Sequence, residues 1–271
     1  YHEHGRGAYV SDNKPYGALL TLYLARTPPS MGKKKPSAHV QVLDAGGQMV
    51  DAFDVPVHAG LNRFTWDLGT LPPSGARTVQ DARPYYVFYP MTIAGPEVLP
   101  GTYTVEITAL GRATQAPVTV RLDPHDDATR EQLQAQYAAL MELAGLQERA
   151  EVAIAHLERV RKALASVPSG RSAQTLAARQ AADKAAAALL DELRNPEPSG
   201  YRQAARLSEQ VAYLRLTVAQ FDGPPTSAQT SLAQAYGAAM NGVETRERSL
   251  DATIAGLNER LRAENVRTIE P

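Results

Sequence analysis

The sequence predicts a two-domain protein, all-β then all-α. An immunoglobulin/fibronectin-like β-sandwich is followed by an antiparallel four-helix bundle with two long and two short helices. Three observations carry this reading. Up to and including Pro124 the chain holds 13 of its 19 prolines and 12 of its 17 aromatic residues. Beyond it, proline occurs only at Pro168, Pro196, Pro198, Pro224, Pro225 and Pro271, between long segments rich in Ala, Leu, Glu and Arg. Proline inside a helix costs about 3 kcal/mol, so helices end where prolines begin. The first part instead shows about seven short strand-like runs, with turn signals roughly every 8–12 residues. The break falls at Leu122-Asp123-Pro124, giving a disordered or linker segment at 1–12, a sandwich at 13–124 and a bundle at 125–267.

The strands follow in order. Tyr16 to Arg26 is rich in apolar and β-forming residues. Ala38 to Leu43 alternates, with Val40 and Val42 on one face; Asp44-Ala45-Gly46-Gly47 turns the chain, and Gln48 to Val55 returns as the second arm of a hairpin. In Leu61 to Leu68, Phe64, Trp66 and Leu68 are expected to face inward. Tyr103, Val105 and Ile107 share a face of Thr102 to Ala109, and Val118 to Leu122 closes the domain. Trp66, the sole tryptophan, reads as a core or inter-sheet anchor rather than a stacking platform. Lys33-Lys34-Lys35 reads as a solvated loop or edge guard rather than a recognition patch.

Gly69 to Gly101 is long, carries six prolines and has few strand signals. It contains Tyr85, Tyr86, Phe88 and Tyr89, four aromatics in five residues. Such a cluster is costly to leave in water, so it covers the sandwich or the helices, docks a neighbouring domain, or binds a ligand such as a carbohydrate. These four residues are the candidate docking surface.

The helices follow. The first begins at Asp126-Asp127 or Thr129, with Glu131 in its first turn. Its stripe is Leu133, Tyr137, Leu140 and Ala144, then, after a shift of phase, Ala150, Ile154, Leu157, Val160, Leu164 and Val167. The second runs from about Ser172 to Arg194 with an alanine-rich face. The third, about Gly200 to Phe221, carries Leu207, Val211, Leu214, Val218 and Phe221. The fourth starts near Thr226-Ser227, with Leu232, Tyr236, Ala239, Val243, Leu250, Ile254, Leu257 and Leu261 along one stripe. Helices one and four, at roughly 39 residues, would be ~58 Å long, and the other two ~33 Å. If short loops make every neighbour antiparallel, a four-helix head stands on a two-helix stalk.

Composition bounds the function. Apolar content of 44%, charged content of 21% and a net charge of −1 are ordinary for a globular chain and point to neither nucleic acid nor an anionic membrane. No apolar run approaches the ~20 residues needed to span a bilayer. The absence of cysteine removes disulfides, thiolate metal sites and cysteine nucleophiles, and suits an oxidising compartment. No signal peptide is visible, and a first residue that is Tyr1 rather than Met suggests a cut or processed chain. No phosphate-binding glycine loop, G-x-S-x-G elbow or H-E-x-x-H occurs. His2-Glu3-His4 is at most a weak metal pair. Asp123-Pro124-His125-Asp126-Asp127 reads as a helix cap and linker, with a cation site as the alternative. His156 reads as a helix flank rather than a base.

Asp12 to Leu24 (DNKPYGALLTLYL) resembles the opening strand, N-P-P-Y-G-A-x-x-x-Y-Y-L, of the C-terminal region of large bacterial sortilin-like propeller proteins with bacterial-neuraminidase repeats, often labelled glycosyl hydrolases. Val42 to Gly47, Ala59 to Leu68, Gly95 to Val105 and Leu122 to Pro124 are similar too, and Lys14 departs from the pattern where a proline is usual. The resemblance implies an exported protein of the periplasm or cell surface, with an upstream propeller or another envelope protein as partner. The family's repeats lie in the propeller and no S-x-D-x-G-x-T-W box occurs here, so no propeller residue carries over. The expected function is a non-catalytic structural and interaction module without cofactor or metal. The alternative is an accessory carbohydrate-binding module.

Overall fold

The structure, a computed structural model, describes residues 15–29, 35–71, 95–195 and 204–270. Their contacts divide them into two compact units. The described residues of Tyr1–Thr70 and Pro100–Leu122 form one, and those of Leu71–Leu99 and Asp123–Pro271 the other.

The first unit holds six strands in two small antiparallel sheets among the described residues. They are β1 (Ala18–Leu24), β2 (Ser37–Leu43), β3 (Met49–Pro56), β4 (Gly60–Trp66), β5 (Gly101–Ala109) and β6 (Arg112–Val120). β1 and β4 pair as a ribbon, and the larger sheet has the order β3-β2-β5-β6. The β2–β3 turn is fixed by Asp44, whose Oδ1 accepts from Gly46 N at 2.8 Å and Gln48 N at 2.9 Å, with Gly47 at φ +78°. Val40 and Val42 of β2 and Val105 of β5 form the buried face of the larger sheet. Trp66 is fully buried, lies edge-on to Tyr103 at 5.6 Å between ring centres, and donates from Nε1 to Gly69 O at 3.1 Å.

This corrects the immunoglobulin/fibronectin-like β-sandwich. A sandwich needs two sheets of comparable width, each covering the other's inner face. A two-stranded ribbon is too narrow to cover a four-stranded sheet, and β6 is exposed on both faces along Arg112–Pro117. Two local expectations also change. Leu68 lies beyond β4 at φ +62°, half-buried, and β6 begins at Arg112 directly after a turn in which Leu110 and Gly111 have φ of +53° and +73°.

The second unit contains four helices: α1 (Arg130–Ala165), α2 (Ala173–Leu193), α3 (Leu207–Ala219) and α4 (Ser227–Ala263). Thr129 and Thr226 head α1 and α4 with capping boxes to Gln132 and Gln229, and Ser172 caps α2 through Thr175 N. Each cap satisfies backbone donors that the first helical turn leaves orphaned. Leu143, Leu157, Leu164, Leu193, Val211, Met240, Leu257 and Leu261 are buried in one continuous core, which Ile269 joins because Asn258 holds its backbone N and O, each at 2.9 Å.

The helix count agrees with the sequence; the antiparallel four-helix arrangement does not. Along α1, Gln136 meets the carbonyls of Val218 and Phe221, Gln147 meets Arg215, and Glu151 meets Ser208, so α3 runs opposite to α1. Ser172 and Thr175 at the start of α2 meet Glu264 at the end of α4, and Glu192 near the end of α2 meets Arg246, so α2 runs opposite to α4. Arg149 pairs with Glu244 and His156 with Asp251, so α4 runs parallel to α1. α2 and α3 therefore follow one another in the same direction as a single interrupted rod. Their 21 and 13 residues nearly match the 36 of α1 and 37 of α4. The unit is an up-down-up bundle of three rods, without a four-helix head and stalk. α3 is shorter than expected because it begins at Leu207, and Phe221, placed on its core stripe by the sequence, is 77% exposed.

Candidate interaction surface

The β1–β4 ribbon is pinned at both ends. Gly17, at φ +108°, approaches so closely that a Cβ there would lie 2.1 Å from Trp66 O. At the other end the buried Asn62 accepts from His58 N at 2.8 Å and donates to His58 O at 2.8 Å and Gly60 O at 3.1 Å, while Ala59 N donates to Thr27 Oγ1 at 2.9 Å. Between these clamps the register pairs Leu19 with Thr65, Thr21 with Arg63 and Tyr23 with Leu61. Alternation buries Leu20, Leu22 and Leu24 and leaves Leu19, Tyr23 and Leu61 on the opposite face, 61%, 68% and 61% exposed. Three large apolar side chains thus share the outside of two strands. Sequence reading missed this surface. The signal was β1 itself, apolar on both faces where a one-sided strand would alternate.

The polar groups of the helical unit serve its architecture. Glu209 bridges the interruption in the middle rod, accepting from Asn195 N at 3.0 Å, Asn195 Nδ2 at 2.7 Å and Arg206 N at 2.6 Å. Opposite it, Glu151 accepts from Ser208 Oγ at 2.8 Å, and burial pushes its carboxyl above the usual range. His156 Nε2 lies 3.1 Å from Asp251 and 3.9 Å from Glu247, a flank contact between α1 and α4. At the sequence's acidic junction, Asp123 Oδ1 accepts from His125 N and Asp126 Oδ1 from Ala128 N, and a carboxyl–carboxyl hydrogen bond to Asp126 raises Asp222. Among the described residues no group of three or more His, Asp or Glu is placed to hold a metal ion, and no helix is long and apolar enough to cross a membrane. Tyr85, Tyr86, Phe88 and Tyr89, together with His2, Glu3, His4, Lys33 and Lys34, lie outside the described residues; Lys35 is exposed.

No family model, no curated protein and no solved structure matches the chain.

Proposed function

We propose that this chain is a non-catalytic structural and interaction module, and that the outer face of the β1–β4 ribbon is its docking surface. The observation that carries the reading is the exposure of Leu19, Tyr23 and Leu61 together on one short ribbon. An apolar patch in water favours association, because covering it contributes about 25 cal/mol per Å² of apolar area. The partner is a domain of an exported envelope protein, a sortilin-like propeller by the resemblance. Two of the stretches that carry that resemblance, Asp12 to Leu24 and Ala59 to Leu68, contain the two strands of this ribbon.

The test is the triple variant Leu19→Ser, Tyr23→Ser, Leu61→Ser. These side chains face solvent, so the melting temperature should hold while binding to a sortilin-like propeller domain supplied in trans falls at least tenfold. Binding that survives the triple change, or a wild-type chain that does not bind, sinks the proposal.

A further inference from the structure

We infer that β1 is a self-pairing edge, through which two copies of this chain join their ribbons into one four-stranded antiparallel sheet, β4-β1-β1-β4. The inference rests on the ribbon as a docking surface and assigns its edge to a second copy.

The sheets present four edge strands among the described residues: β1, β4, β3 and β6. Edge strands are ordinarily guarded against such pairing by charge or proline. β3 carries Asp51, Asp54 and Pro56; β6 carries Arg112 and Pro117; β4 carries Arg63 on its outer face. β1, Ala-Leu-Leu-Thr-Leu-Tyr-Leu, carries no charge, no proline and no glycine. It is the one unguarded edge of the four.

Its sequence is also complementary to itself. A two-fold axis through Thr21 keeps every residue on its own face and pairs positions symmetrically, as an isologous interface requires. Leu19 then lies opposite Tyr23 of the second copy, and Tyr23 opposite its Leu19. These are aliphatic–aromatic pairs of the kind that stabilise antiparallel ladders. Thr21 meets Thr21, a hydrogen-bonding pair, while Leu20 and Leu22 meet on the inner face. An axis placed on β4 through Arg63 would set two guanidinium groups opposite each other, the charge that guards the middle of this edge. Pairing through β1 also doubles the apolar outer face, adding a second Leu19, Tyr23 and Leu61 to the first.

Because the chain has no cysteine, a single introduced thiol reports on the axis without background. Residues directly opposite in an antiparallel pair have Cα atoms about 4.5–5.5 Å apart, within the range a disulfide spans. Thr21→Cys should give a covalent dimer on mild oxidation at least tenfold faster than Thr119→Cys, an exposed control on β6. Wild type should sediment at twice 29.2 kDa, and Thr21→Lys, which sets like charges face to face, should return it to 29.2 kDa with unchanged Trp66 fluorescence. A wild-type chain that stays at 29.2 kDa at high micromolar concentration, or equal cross-linking at positions 21 and 119, overturns the self-pairing. Wild type that binds the propeller domain but stays at 29.2 kDa loses only the self-pairing, and wild type that dimerises without binding the propeller loses only the docking reading, so the two failures are distinguishable.

Discussion

The two units dispose of their apolar residues differently. In the helical unit all four helices contribute to one core, from Leu140 through Leu261 to Ile269, while Phe221, Leu232 and Ala239 of the expected stripes lie outside it. In the β unit the narrow ribbon buries Leu20, Leu22 and Leu24 but leaves Leu19, Tyr23 and Leu61 outside. Three rods of nearly equal length close on themselves, whereas two strands against four do not. The helical unit also leaves Val152, Tyr213, Phe221 and Leu232 exposed, but its four helices share one continuous core, whereas the ribbon carries Leu19, Tyr23 and Leu61 together on one face.

The largest expected effect tests whether the units are as separate as their contacts. Leu214 is 3% exposed in the helical core, so Leu214→Asp buries a carboxylate without a partner and should cost about 4 kcal/mol or more. The sole tryptophan, Trp66, lies in the β unit. The helical circular dichroism transition should therefore fall steeply while the Trp66 fluorescence transition stays in place. A joint shift of both transitions would merge the units.

A smaller effect is expected at the interruption of the middle rod. Glu209→Ala removes the acceptor shared by Asn195 and Arg206 and should cost about 1–3 kcal/mol. Amide exchange should accelerate in α3 before α1 or α4. Uniform acceleration across all helices would mean that α2 and α3 open as one rod and that the clasp is not a local weak point.

The smallest effect concerns Glu151. Its folded pKa is raised by burial, so its contribution to stability is fully present below the ordinary glutamate pKa and is lost as pH rises through the folded value. Glu151→Gln, which keeps an acceptor for Ser208, should therefore raise the melting temperature modestly at neutral pH, and the gain should vanish at acid pH. A gain that is independent of pH would remove the carboxyl's titration as its source.

Much of the fold was legible in the sequence because proline and capping act locally. Thr129, Ser172 and Thr226 mark three helix starts, and Pro168 and the Pro224-Pro225 pair mark real breaks. The hairpin at Asp44 was legible for the same reason, since its hydrogen bonds span four residues. Direction was not local. A proline-bearing link between α2 and α3 reads as a reversal, but the chain continues onward, and the match of two short helices to one long rod decides the matter only when lengths are compared across the bundle. The sandwich was over-read because alternation predicts strands, not the number that pair. The Gly17 clamp escaped notice because it depends on a backbone distant in sequence, Trp66 O; at the other end Asn62 bonds locally to His58 and Gly60, and the distant contact is Ala59 N to Thr27 Oγ1.

An odd number of rods has a mechanical consequence. The chain enters the bundle at Arg130 at one end and completes α4 at Ala263 at the other, so the bundle carries it forward by about 54 Å, the length of a 36-residue helix. Tension applied between those two points would pull α1 and α4 past each other lengthwise rather than peel them apart turn by turn. Ion pairs such as Arg149–Glu244 and the leucines between the rods would then be loaded together. A bundle strung in this way is suited to transmit force along its axis, whereas an even-numbered bundle would return its chain to the starting end and unzip.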